Sequence, residues 1–149
     1  MRLWAILLSS GVAVTSAGAA LAQTAPVNYV GVGVRAGLND DTAAVINSKV
    51  QVTELGDFTV SVRPALYIGS DVEGRLPITI ETSLDSYLFP YVGGGLAYNT
   101  DGLSTVDPMV TAGVDVGLGG SWVVDVKLNV IFQPGDTDTE LVGAVNYRF

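Results

Sequence analysis

The sequence predicts an all-β protein, an eight-stranded antiparallel transmembrane up-and-down β-barrel. Three observations lead there. Eight segments alternate apolar and polar residues, the pattern of strands with unlike surroundings on their two faces. No segment beyond the N-terminal stretch is long and apolar enough to cross a membrane as a helix, although hydrophobic residues make up 48% of the chain. Aromatic residues on the apolar faces gather near segment ends, where interfacial rings belong on a membrane barrel.

The N-terminal stretch reads as a signal peptide over residues 1–22. Met1-Arg2 is a short basic region, Leu3 to Val14 is apolar, and Ala20-Leu21-Ala22 is a small-x-small site with cleavage expected after Ala22. The alternative is a membrane anchor, but Ser9, Ser10, Gly11, Thr15 and Ser16 interrupt the apolar run. Residues 23–149, that is 149 − 22 = 127 residues, are then one domain, the barrel.

The strands follow in order. The first, Tyr29 to Leu38, turns Val30, Val32, Val34, Ala36 and Leu38 to one face; Asn39-Asp40-Asp41 ends it. The second, Ala44 to Thr53, does the same with Ala44, Ile46, Ser48, Val50 and Val52, and Glu54 to Asp57 closes a hairpin into the third, which carries Phe58, Val60, Val62, Pro64, Leu66 and Ile68. After Gly69 to Gly74 the fourth presents Leu76, Ile78, Ile80, Thr82 and Leu84, and Asp85-Ser86 turns into the fifth, Tyr87 to Asn99. Gly93-Gly94-Gly95 hides its phase; Leu88, Pro90, Val92, Leu96 and Tyr98 are assigned to the apolar face. The sixth, Val110 to Leu118, precedes a Gly119-Gly120-Ser121 turn. The seventh sets Trp122, Val124, Val126, Leu128, Val130 and Phe132 against Val123, Asp125, Lys127, Asn129 and Ile131, and the eighth runs Leu141, Gly143, Val145, Tyr147, Phe149 to the end of the sequence. An even strand count returns both termini to one end. Connections after strands two, four and six read as short, those after three, five and seven as longer outer loops. The apolar-face aromatics form two belts, Phe58, Trp122, Tyr147 and Phe149 at the end of the termini, Tyr98 and Phe132 at the other.

All basic residues after the signal, Arg35, Lys49, Arg63, Arg75, Lys127 and Arg148, fall on the polar faces, together with Glu81, Asp115 and Asp125. This predicts a lumenal charge network of six cations and three carboxylates. Gly31, Gly33, Gly37, Gly93, Gly95, Gly113 and Gly117 leave room for the basic chains and for Tyr29, Tyr67, Tyr87 and Tyr91, and eight strands enclose a space just wide enough to be filled by side chains. A packed polar core is expected over a conducting pore. The other acids are placed in turns: Asp40, Asp41, Asp71, Glu73, Asp101, Asp107, Asp136, Asp138 and Glu140 at the outer end, Glu54, Asp57 and Asp85 at the end of the termini. Asp136-Thr137-Asp138-Thr139-Glu140 has the alternate-oxygen spacing of a Ca²⁺ loop but lacks its fixed Gly and distal Glu, so solvated turn acids are the expectation. Pro64, Pro77, Pro90 and Pro108 oppose the reading, since a closed barrel has no edge where a missing N–H is harmless. A soluble barrel or sandwich with its aliphatic face inward shares the alternation.

The signal, the eight strands and the closing Tyr147-x-Phe149 resemble the small bacterial outer-membrane β-barrels typified by the OmpA transmembrane domain and OmpX. The resemblance implies termini in the periplasm, recognition of Tyr147 and Phe149 as an assembly signal by the barrel-assembly machinery, and contact with outer-membrane lipid and lipopolysaccharide. The sequence ends at Phe149, so the peptidoglycan-binding domain that OmpA proteins often add does not transfer. Barrel enzymes such as lipid A deacylases, palmitoyltransferases and omptin proteases depend on a catalytic His, and this chain has neither His nor Cys. The expectation is therefore a monomeric, non-enzymatic outer-membrane protein with no catalytic residue, metal, cofactor or nucleic-acid partner, acting in envelope structure or surface interaction. The alternative is a small porin-like channel whose selectivity Arg35, Lys49, Arg63, Arg75 and Lys127 would tilt toward anions. The third is a soluble periplasmic ligand-binding barrel.

Overall fold

The computed structural model describes residues 28–38, 41–100 and 105–149. The signal peptide with its cleavage site, and the outer-loop residues Asp40 and Asp101, lie outside them. The strands are β1 (Asn28–Gly37), β2 (Ala43–Leu55), β3 (Phe58–Val62), β4 (Ala65–Ile68), β5 (Val72–Glu81), β6 (Leu88–Asn99), β7 (Thr105–Gly117), β8 (Trp122–Gln133) and β9 (Asp136–Arg148). β3 and β4 are two halves of one wall strand: both pair with β2 on one side and β5 on the other. Eight wall strands thus follow one another in antiparallel order, and β1 pairs with both β2 and β9, which closes the ring. The up-and-down barrel read from the alternation is the fold observed.

The faces point as the alternation requires. Val30, Val32, Val34, Ile46, Leu66, Ile78, Ile80, Val92, Leu96, Val126, Leu128 and Val145 are all exposed on the outside. Phe89, Tyr91 and Ala97 are buried inside, so the phase assigned to the fifth strand across its three glycines holds. A soluble barrel would have buried the aliphatic set; here it is the polar set that is inside.

Three of the four wall prolines, Pro64, Pro77 and Pro90, obey one rule. A hydrogen-bonded antiparallel pair exchanges two bonds, and in each pair containing a proline only the bond to its carbonyl can form. Ser48 N–H donates to Pro64 O (3.1 Å), Arg63 N–H to Pro77 O (3.0 Å) and Thr82 N–H to Pro90 O (3.1 Å). Pro64 and Pro77 lie on neighbouring strands at the same level, and together they split β3 from β4. Pro90 stands one pair beyond the last β5–β6 pair, Glu81 with Tyr91, and Pro108 one residue beyond the last β7–β8 pair, Met109 with Ile131. These two therefore end ladders at the barrel rims instead of interrupting them. Replacing Pro64 by Val restores a donor toward Ser48, and a gain of about 1 kcal/mol in denaturant unfolding is expected.

The strands reach further toward the outer end than the turn residues suggest. β5 begins at Val72, β7 at Thr105 and β9 at Asp136, so the β8–β9 connection is only Pro134-Gly135. The longest connection among the near-end turns is residues 82–87, and the expected sorting into short turns at the end of the termini and long loops at the other fails. Backbone pairing on both sides of β9 extends the ladder over residues whose sequence predicts a loop.

Candidate functional site: the lumenal ion-pair network

Strand alternation sends every second residue inward, and the inward set from all eight wall strands meets in one space. Arg35, Lys49, Arg63, Arg75, Glu81, Asp115, Asp125 and Lys127 all point there and are buried. Glu73 and Glu140 join them. The turn-like sequence around each predicts outer loops; the extension of β5 and β9 turns both side chains inward instead. Asp107 and Asp138 are also buried on the lumen side of the outer end, which leaves Asp41, Asp71 and Asp136 as its described solvent-facing acids.

The ion-paired charges fall into two groups, each balanced. Nearer the termini, Lys49, Arg63 and Lys127 meet Glu81, Asp115 and Asp125. Arg63 donates from Nη2 to Glu81 Oε2 (2.7 Å) and Asp115 Oδ2 (2.9 Å), from Nη1 to the Tyr29 hydroxyl (2.7 Å) and from Nε to Thr79 Oγ1 (2.9 Å). Its guanidinium lies 3.4 Å from the centroid of Tyr91. Lys49 pairs with Glu81 and, at 3.6 Å, with Asp115. Tyr29 donates to Asp115 (2.8 Å), Tyr91 to Asp125 (2.5 Å), and Lys127 to Asp125 (3.0 Å) and the Asn47 side-chain oxygen (2.6 Å).

Toward the outer end, Arg35 and Arg75 meet Glu73 and Glu140. Arg75 donates to Glu140 from Nε (3.0 Å) and Nη2 (3.1 Å) and to Glu73 (3.0 Å); Arg35 donates to Glu73 (2.5 Å) and Glu140 (3.3 Å). Tyr67 lies beneath both guanidiniums, 5.5 Å from Arg35 and 4.8 Å from Arg75, and clusters with Ala43, Val45, Ala65 and Val142. Asn129 donates to Glu140 (2.9 Å) and to the Tyr67 hydroxyl (3.0 Å). Ala97, Met109 and Ile131 form a second apolar cluster nearer the outer mouth.

The pairs cross the lumen. Four cations, Arg35, Lys49, Arg63 and Arg75, belong to the wall from β1 to β5, while Asp115, Asp125 and Glu140 belong to the wall from β6 to β9. Arg63–Asp115, Lys49–Asp115 and Arg75–Glu140 therefore tie the N-terminal half of the barrel to the C-terminal half. Five cations against five carboxylates replaces the expected count of six against three. The sixth, Arg148, is half-buried at the end of the termini and belongs to none of the ion pairs among the described residues. Tyr87 likewise is exposed at that end and does not line the lumen. Asp136 to Glu140 is strand, with Asp138 and Glu140 inward, and no group of three or more metal-ligating side chains occurs among the described residues.

On the outside, Phe58, Trp122, Tyr147 and Phe149 are exposed at the end of the termini and Tyr98 and Phe132 at the other. From Trp122 to Phe132, ten residues at roughly 3.4 Å each, inclined at about 40°, rise about 26 Å, close to the apolar band of a membrane barrel.

No family model and no curated protein sequence matches the chain. Solved structures do. A de novo designed transmembrane β-barrel superposes with a TM-score of 0.63 at 18% identity, covering 83% of this chain and 96% of that one. The N-terminal β-barrel domain of Pseudomonas aeruginosa OprF gives 0.60 at 12% identity, with 85% and 100% covered. The Yersinia pestis outer membrane protein Ail, in a phospholipid bilayer nanodisc, gives 0.58 at 12%, with 82% and 98% covered. The fold is that of the small transmembrane β-barrels, the class to which these outer-membrane proteins also belong.

Proposed function

We propose that this chain is a non-enzymatic integral outer-membrane β-barrel that does not conduct, exported by a signal peptide over residues 1–22 and acting as a monomer in envelope structure or surface interaction. The observation that carries the reading is a lumen crossed by an ion-pair network of five cations and five carboxylates inside an aliphatic outer wall. A buried charge whose partners are all supplied by the wall needs no water column. The anion-favouring channel loses its basis, because the basic excess it required is cancelled by Glu73 and Glu140. The belts of Phe58, Trp122, Tyr147, Phe149, Tyr98 and Phe132 set the barrel in the bilayer, and Tyr147 and Phe149 present the aromatic pair that the assembly machinery reads. Asp41, Asp71 and Asp136 meet lipopolysaccharide through shared divalent cations. Cells expressing the full chain test the reading. Extraction only by detergent, with a gel band that shifts on boiling, is the expected result. Release with the soluble periplasm contradicts it.

A further inference from the structure

The outer wall is not uniform. Along the closing seam, Val32, Gly33, Val34, Val124, Gly143, Ala144 and Val145 line an open apolar notch of about 420 Å³. Its cause is Gly143, an outward position where valine or leucine stands on neighbouring strands; a Cβ built there meets nothing within 4 Å. The register places the notch close to one aromatic belt: Gly143 pairs with Val126, Val145 with Val124, and Tyr147 with Trp122. Those last two rings pack edge to face, 5.5 Å between centroids and 81° between planes. Both are half-exposed, and neither the indole N–H nor the phenol O–H is bonded among the described residues.

From this arrangement we infer that the seam is an ordered site for one glycerophospholipid of the periplasmic leaflet. An acyl chain fills the notch at Gly143, the ester region lies at the level of Trp122 and Tyr147, and the phosphate lies beyond those rings at the rim. The inference rests on the membrane reading above. The notch is continuous with the lipid-facing wall, which makes an acyl chain its natural occupant. It stands beside the belt at the end of the termini, which selects the periplasmic leaflet. Interfacial rings that are apolar in body and polar at the tip suit the ester level.

The test uses the barrel extracted from cells expressing the full chain with Trp4→Phe, which leaves Trp122 as its single tryptophan. It is reconstituted into phosphatidylcholine vesicles containing a small fraction of phosphatidylglycerol with brominated acyl chains, a quencher of indole fluorescence. Quenching of Trp122 is expected roughly twofold above random mixing, since retention of a lipid scales with the apolar area it buries. Gly143→Leu, which fills the notch, should return it to random mixing, while Ala112→Leu, the same bulk on the outer face of β7 two strands from β9, should leave the excess intact. Random mixing in the parent, an excess that survives Gly143→Leu, or a cross-linked dimer that Gly143→Leu dissolves each overturns the inference while leaving the membrane barrel standing. Failure to insert, seen as a band that does not shift on boiling, overturns both.

Discussion

Arg63→Ala is expected to destabilise the barrel by about 3–5 kcal/mol, the cost of removing one partner from a buried ion pair. Arg63 serves two carboxylates, a tyrosine hydroxyl and a threonine hydroxyl, and covers the face of Tyr91. Without it, Glu81 and Asp115 share the single ammonium of Lys49, in a space where none of these side chains is more than 1% exposed. Lysine at position 63 should recover only part of the loss, because a point charge on a flexible stem replaces neither the planar fork nor the stacking. Arg63→Met combined with Asp115→Leu removes one charge of each sign and should be more stable than Arg63→Ala alone. Urea unfolding, followed through the band that shifts on boiling, reads all three. If Arg63→Ala is as stable as the parent, water is replacing the guanidinium and the lumen is hydrated.

Gly93→Val is expected to prevent the wall from closing. A Cβ at Gly93 would lie 2.0 Å from the Ile78 carbonyl oxygen and 2.7 Å from Thr79 Cα, and one at Gly95 would lie 2.2 Å from Leu76 O. Across the barrel the same crowding recurs at the seam, with Gly31 at 2.1 Å from Val145 O and Gly33 at 2.2 Å from Gly143 O. Four wall strands separate these two joints in either direction around the ring. Glycines on the inner face thus allow sharp bending along two opposite lines, the role glycine kinks play in barrel corners. The obstructing atoms are backbone, so side-chain repacking cannot relieve the clash, and a cost of about 3 kcal/mol or more follows. Gly143→Val, on the open outer face of the same seam, should instead be neutral or mildly stabilising, since β-branched residues suit strands. Semi-native gels of the two variants should differ accordingly, the first lacking the folded band and the second keeping it.

Alternation made the wall legible. With a period of two, one misplaced residue would invert a whole strand, and the apolar sets from Val30 to Val34, Leu76 to Ile80 and Trp122 to Phe132 left no second phase to choose. Even the fifth strand could be phased from Leu88, Val92 and Leu96 across its glycines. The rims were harder. Asp107, Asp138 and Glu140 stand among prolines, threonines and glycines that read as turn, yet β7 and β9 continue through them because neighbouring strands supply the partners. That error propagated into the charge count, since Glu73 and Glu140 are the anions that balance Arg35 and Arg75. Arg148 failed for the opposite reason: it follows the period, but the strand ends there and the side chain finds no partner among the described residues. The prolines read as objections because a sequence shows which residues lack an N–H but not toward which neighbour that N–H would have pointed.

Planar-bilayer recording of the detergent-extracted barrel, at neutral pH and after the folded band has been verified on the same sample, tests the central claim most directly. A lumen closed by five cations matched to five carboxylates and by two apolar clusters predicts a membrane that stays silent while folded protein is demonstrably inserted. Sustained single-channel steps from that sample would contradict it, and would mean that Arg63, Glu81, Asp115 and Glu140 line a water-filled path instead of sealing one.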